Sequence, residues 1–430
     1  MLLLRENATA TSRALLRALP RAGCRRASSG PSRPPPQDAV KSHELFKVAP
    51  RWLLLRVETE NGVVGWGEPN LEGYSDTVAA CVGELMRSVV GEDPSRIQHV
   101  WQKICRQKFY GGGPVIMSAL AGIDQALWDI AGRTLGVPVH RLLGGAVRDR
   151  LAVYRWCGGD DNTPEAAAAE ARAVLDGSNF KHLKMNACPR LGYLDLEPAR
   201  AVRAAADRMA AVRDAVGPDV GVGLDFHGRV KLPVAARMMA ALEPFEPLFF
   251  EEPVCAAQNA ALPGLAARTS VPLATGERMF AAHEFRDLLA GRGVHVIQPD
   301  CSHAGGISSM LALARMAEAY EVGFAPHCPL GPVALAACLH VDAAAINFTL
   351  QETSIGIHYN AEGAEGGGEL LDYLVDPSVL DVDADGYVAR LDGPGLGIEI
   401  DEAKVRAAAE RGHDWRDREW TLPDGAPTTW

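Results

Sequence analysis

Six polar residues recur through the second half of the chain at nearly one interval. Asp225, Glu251, Glu277, Asp300, His327 and Glu352 are separated by 26, 26, 23, 27 and 25 residues. Each ends or just follows a short apolar run: VGVGLDF, LFFEEP, VPLATGE, VHVIQPD, VGFAPH and NFTLQE. Two further runs, LAVYRWC and FKHLKMN, precede them, and Ala-rich segments with helical spacing lie between. Eight strand-helix units in succession, with few hairpin signals, predict a (β/α)8 barrel rather than an open sheet. One unit takes about 25 to 30 residues, so the six side chains fall at equivalent points and converge on one mouth. In barrels of this kind the C-terminal mouth holds the active site.

A single carboxylate at a strand end is usually a helix cap or a solvated loop residue. Six in register are not explained that way. Asp225, Glu251 and Glu277 would repel one another unless a cation sat between them. They offer only hard oxygen ligands, so Mg2+ is the expected ion and zinc is not. Glu252 alternates to the other face of its strand and is the weaker candidate ligand. Asp300 and His327 end neighbouring strands. A carboxylate bonded to one imidazole nitrogen fixes the tautomer and raises the basicity of the other, which makes the pair a candidate general base. Lys184 and Asn186 end the preceding strand, within reach of a bound anion, and Glu352 ends the last strand opposite. A divalent cation, a base and donors around an anion suit one kind of chemistry, in which the proton beside a carboxylate is removed and the resulting enediolate is stabilised.

The rest of the chain sets the frame. With 430 residues and 47% hydrophobic composition, the chain can bury a large core and reads as a soluble globular protein. No apolar run approaches the roughly 20 residues needed to span a bilayer, and a formal charge of −11 argues against nonspecific nucleic acid binding. Nine scattered cysteines without a CxxC pair suggest free thiols, Cys328 among them as a small buried hydrophobe. Residues 1–39 carry seven arginines and few acids before a PSRPPP segment. They read as a mitochondrial transit peptide or as a disordered extension of a cytoplasmic protein, and are excluded from the fold. Residues 40–150 begin with two extended runs around Asn61-Gly62, a hairpin signal in which both turn positions tolerate positive φ. Helical spacing follows at Ser75 to about Val90, around IQHVWQKICRQ, and over 117–136. This predicts a small α+β domain ahead of a barrel over 151–355, with a tail over 356–430. AEGAEGGG, 361–368, reads as a flexible glycine-rich surface insertion.

Taken together, PRWLLLRVET, VVGWGEP, MSALAGIDQALWDIAG, GLDFHGRV, FFEEPV, ATGERMF, IQPDCSHAGGI, APHCPLGPVALAACLH, QETSIGIHYN and PGLGIEIDEAKV make the chain resemble the mandelate racemase branch of the enolase superfamily. Within it the detail is similar to the galactonate dehydratase family, over about residues 50–430. The resemblance implies a modified barrel closed by an α+β capping domain built from the N-terminal part and the C-terminal tail. By motif it implies that Asp225, Glu251 and Glu277 bind magnesium, that Asp300 and His327 form the base dyad, and that His227 is the general acid. It also implies a sugar acid substrate touched by Lys184, Asn186 and Glu352, and a homo-oligomer. Racemases of the branch carry Lys-x-Lys on the second strand. Here the pattern is Lys184-Met185-Asn186, which removes a second base and favours elimination. Another aldonic acid epimer is the alternative substrate. A noncatalytic binding barrel is the alternative class, and it has no need of six strand-end residues.

Overall fold

The computed structural model describes residues 37–430, except 107–108, 159–162, 189–196, 356–369, 418, 423 and 429–430. The expected leader and the glycine-rich insertion therefore lie outside the described residues, apart from Gln37 to Ala39.

The first layer is a three-stranded antiparallel sheet of β1 (Val40–Val48), β2 (Trp52–Thr59) and β3 (Val64–Gly67), in that order. The Asn61-Gly62 hairpin forms, but only Gly62 takes positive φ, at 80°. Thr59 N–H donates to the Val63 carbonyl, so the loop is longer than a two-residue primed turn and needs just one left-handed position. Helices α1 (Ser75–Met86), α2 (Ile97–Arg106) and α3 (Pro114–Leu135) cover one face. Val57, Val82, Met86, Ile104, Ile123 and Leu127 are among the residues of this first core. Pro114 starts α3 three residues earlier than the apolar spacing indicates, because proline at the first helical position has no N–H to leave unpaired. At Gly67 a Cβ would lie 1.9 Å from the Gly122 carbonyl, so β3 and α3 touch backbone to backbone.

A short α4 (Val139–Leu142) leads into the barrel. Its units are β4 (Arg150–Trp156) and α5 (Pro164–Gly177), β5 (His182–Asn186) and α6 (Pro198–Val216), then β6 (Gly221–Asp225) and α7 (Leu232–Leu242). They continue with β7 (Phe250–Glu251) and α8 (Leu262–Ala266), β8 (Leu273–Thr275) and α9 (Ala282–Ala290), then β9 (Val296–Ile297) and α10 (Ile307–Glu318). The last are β10 (Gly323–Phe324) and α11 (Pro332–Ala344), then β11 (Gln351–Thr353). All eight strands pair in parallel in the order β10-β9-β8-β7-β6-β5-β4-β11. A parallel bridge between Phe324 and Phe348 joins the two ends and closes the ring.

The C-terminal segment braces both layers. Its β12 (Tyr387–Ala389) pairs antiparallel with β4, and α12 (Glu402–Arg411) lies on the three-stranded sheet, where Arg406 bonds Glu44 of β1 and Glu402 accepts from Arg56 of β2. No helix of the described residues is long and apolar enough to cross a membrane, and eight cysteines are free thiols.

Candidate active site

The barrel strands deliver every candidate side chain to one end. Asp225 and Glu251 end β6 and β7. Glu277 follows β8 across Gly276, whose φ of 153° and absent Cβ let the chain pass the Gln298 backbone. Asp300 and His327 lie three residues past β9 and β10 and are themselves joined by a parallel bridge. Lys184 and Asn186 lie on β5, and Glu352 is the middle residue of β11.

The Asp225, Glu251 and Glu277 ligand atoms lie within 4.8 Å of one another. Asp225 Oδ2 is buried and accepts no hydrogen bond, with Lys184 Nζ at 3.3 Å. An oxygen-only set with a buried oxygen left over fits a hard divalent cation, so these three residues could hold one. Lys184 is buried among carboxylates, with Nζ also 3.0 Å from Glu251 and 2.8 Å from Glu352. Burial alone would lower the lysine pKa, but Glu251 and Glu352 more than offset it and hold the pKa well above its usual value. Three carboxylates thus share one ammonium. Glu251, buried and beside Asp225, is pushed well above the usual carboxylate range. Glu277 is buried too, yet His327, His227 and Lys184 hold it below that range. Glu252 is not placed by strand alternation, since β7 ends at Glu251 and Glu252 takes φ 41°; its carboxylate is engaged by Arg278, with contacts of 3.0 and 2.6 Å.

His327 Nδ1 donates to Asp300 Oδ2 at 2.8 Å, and Nε2 lies 3.1 Å from Glu277 and 4.0 Å from Glu352. Burial opposes the charged imidazole, but Glu277, Glu352 and Asp300 raise its pKa well above the ordinary value. His227 reaches the same cluster from β6, its Nε2 3.3 Å from Asp225 Oδ2. It does not do so by strand alternation. The strand ends at Asp225, and His227 takes φ 48° in a turn closed by its own N–H on Asp225 Oδ1 at 2.8 Å. Left-handed backbone is strained for a residue with a Cβ, and such strain concentrates at functional sites. Asn186 is turned to His227 Nδ1, with the amide oxygen at 2.9 Å. Burial lowers the His227 pKa, against the attraction of Asp225.

Two residues at this site went unnoticed in the sequence. His303, within the IQPDCSHAGGI stretch, places Nδ1 3.8 Å from Asp300 Oδ2 and Nε2 3.3 Å from Glu72. Together with Asp300 and His327 it forms a second group of possible metal ligands. Its position three residues after Asp300 was a local signal. Glu72 comes from the loop after β3 and had none. Burial works against its charge, but His303 and Arg51 hold its pKa down at about 2.

Comparison with known proteins agrees with this geometry. The N-terminal domain model of mandelate racemase / muconate lactonizing enzyme matches residues 26–144, and the enolase C-terminal domain-like model matches 166–404. The D-galactonate dehydratase of Variovorax paradoxus is 51% identical over 385 residues, which is 90% of this chain and 98% of that protein. The D-galactonate dehydratase of Xanthomonas euvesicatoria is 51% identical over 387 residues, with the same coverage. The crystal structure of an enolase from Agrobacterium radiobacter, with sodium and L-malate bound, superposes with a TM-score of 0.82 at 31% identity, covering 91% of this chain and all of that one. The chain therefore belongs to the mandelate racemase / muconate lactonizing enzyme family of the enolase superfamily.

Proposed function

We propose that the chain dehydrates a sugar acid, with D-galactonate as substrate and 2-dehydro-3-deoxy-D-galactonate as product. The observation that carries this reading is the placement of two histidines about one carboxylate cluster. His227 follows β6 and His327 follows β10, four strands apart in a ring of eight, so they face the centre from opposite sides. The shared name of the two bacterial relatives supports the choice of substrate.

Asp225, Glu251 and Glu277 hold Mg2+, which when bound supplies positive charge beside a substrate carboxylate. Lys184 and Glu352, paired at 2.8 Å, form the wall that orients that carboxylate. Once Glu277 is engaged as a ligand, the attraction that most raises the His327 pKa is withdrawn. His327 Nε2 then takes the C2 proton, while Asp300 keeps Nδ1 protonated and stabilises the imidazolium. His227 gives a proton to the 3-hydroxyl, which leaves as water. The C2–H and C3–O bonds are broken, a C2–C3 double bond forms, and the enol tautomerises to the 2-keto acid. Asn186 supports elimination over racemisation: where racemases carry a second lysine, this chain holds the acid's Nδ1 with a neutral amide.

The test is a panel of aldonic acids incubated with the purified protein and Mg2+, read as 2-keto acid formed. Turnover of galactonate that stops in excess chelator and returns with magnesium is expected. No 2-keto acid from any member sinks the dehydratase reading. Full turnover in excess chelator sinks the metal assignment and leaves dehydration standing.

A further inference from the structure

Four residues, 328–331, connect His327 to α11, and each is held by a side chain from elsewhere. Cys328 N–H donates to Glu352 Oε2 at 3.0 Å. The Pro329 carbonyl accepts from Arg51 Nη2 at 3.0 Å, and the Leu330 carbonyl from Ser354 Oγ at 2.6 Å. Gly331 N–H donates to Glu68 Oε1 at 2.7 Å. Glu352 and Ser354 come from the end of the barrel, whereas Arg51 and Glu68 come from the three-stranded sheet domain.

Glu68 makes the most of these contacts. Its Oε2 accepts from Ala334 N–H at 3.0 Å, in the first turn of α11. Its carbonyl accepts from Ser302 Oγ at 2.7 Å, and Ser302 N–H donates to Asp300 Oδ1 at 2.6 Å. Its own N–H donates to Gln125 Oε1 at 2.7 Å, and Gln125 Nε2 donates onward to Ser302 Oγ at 3.2 Å. Glu68 is fully buried, and no Cβ fits at residue 331, where it would stand 2.6 to 2.9 Å from the Glu68 carboxylate. One residue therefore grips the loop behind the imidazole through its side chain and the loop behind the orienting carboxylate through its main chain.

We propose that Glu68 is a positioning residue that sets where His327 stands relative to the substrate's C2, by holding both halves of the Asp300–His327 dyad from the neighbouring domain. The proposal rests on His327 being the base. A reacting group displaced by about 1 Å can lose about 10²-fold in rate, so a support of this kind acts on the chemical step and leaves substrate affinity alone.

The experiment compares wild type, Glu68→Gln and Gly331→Ala in the full chain with magnesium. In E68Q an amide NH2 opposes one of the two N–H donors; in G331A the carboxylate keeps its charge and is pushed aside. Both should lower kcat by about 10- to 100-fold with KM nearly unchanged, and raise the primary isotope effect for C2-deuterated galactonate. The Nδ1 proton resonance of His327, identified by its loss in H327N, should shift or broaden in both. If one variant does not fold, the other decides on the same readouts. A fall in kcat that only tracks loss of folded protein, with isotope effect and resonance unmoved, overturns the proposal, as does kcat within twofold of wild type. If the wild type turns over no aldonic acid, the dehydratase reading falls, and the resonance still decides whether Glu68 positions His327.

Discussion

In the proposed reaction His327 and His227 act on different bonds, so removing each leaves different chemistry behind. Loss of a general acid or base commonly costs about 10²- to 10⁴-fold. In His227→Asn the dehydration rate should fall by that amount while the C2 hydrogen still exchanges with deuterated solvent. In His327→Asn both should fall together, because position 186, where racemases of the branch carry a second lysine, holds an amide engaged with His227. Proton NMR of galactonate in deuterated buffer reads both processes at once. Exchange that survives in H327N and vanishes in H227N would reverse the roles. At this scale the barrel side of the site was legible, because an apolar run that ends in Asp, Glu or His announces where its polar residue must point. Glu68 and Glu72 were not, since residues that act more than two hundred positions away leave no mark in local periodicity.

Two elements of the barrel begin on carboxylates that belong to the other layer. Glu68 caps α11, and Asp124 of α3 accepts from Ser308 N–H at 3.0 Å and Ser308 Oγ at 2.6 Å at the start of α10. A helix cap of this kind is worth about 1 kcal/mol. Both carboxyls are fully buried, and burial outweighs the donors and pushes each up to about 7. The folded pKa of Asp124 then lies above its unfolded value near 3.9, so its contribution to stability is full below about pH 4. That contribution declines as the pH rises toward 7, because the unfolded chain gives up the proton first. Asp124→Asn has no proton to lose and keeps an acceptor for Ser308. Thermal unfolding between pH 4.5 and 7.5 should therefore show a shallower decline in Tm for D124N than for wild type, and parallel curves would refute the assignment. Element boundaries were less legible than element order. The apolar runs predict strands of six or seven residues, whereas β7, β9 and β10 hold two residues each in the ladder. The flanking apolar residues are buried by packing, which a periodicity cannot distinguish from pairing.

For the whole molecule, the order of the barrel and the fact that it closes followed from the repeat, but the contacts that close and brace it did not. The ring closes through Phe348, ahead of β11, and β12 pairs with β4 from more than two hundred residues away. Neither contact has a local signature. We propose that residues 1–39 direct the protein to mitochondria, on the strength of their arginines and scarce acids. A fluorescent reporter carrying that segment should colocalise with mitochondria, and a diffuse cytosolic signal would favour the plain-extension reading. Finally, the loop over 328–331 bears on how such a protein can be redesigned. Two of its four anchors, Arg51 and Glu68, are supplied by the small domain. A chimera that takes its small domain from a relative to accept a new sugar acid would import those two anchors as well. Transplanted domains that lack an arginine and a glutamate at these positions should give folded but slow hybrids, and restoring the pair should recover rate before any substrate contact is optimised.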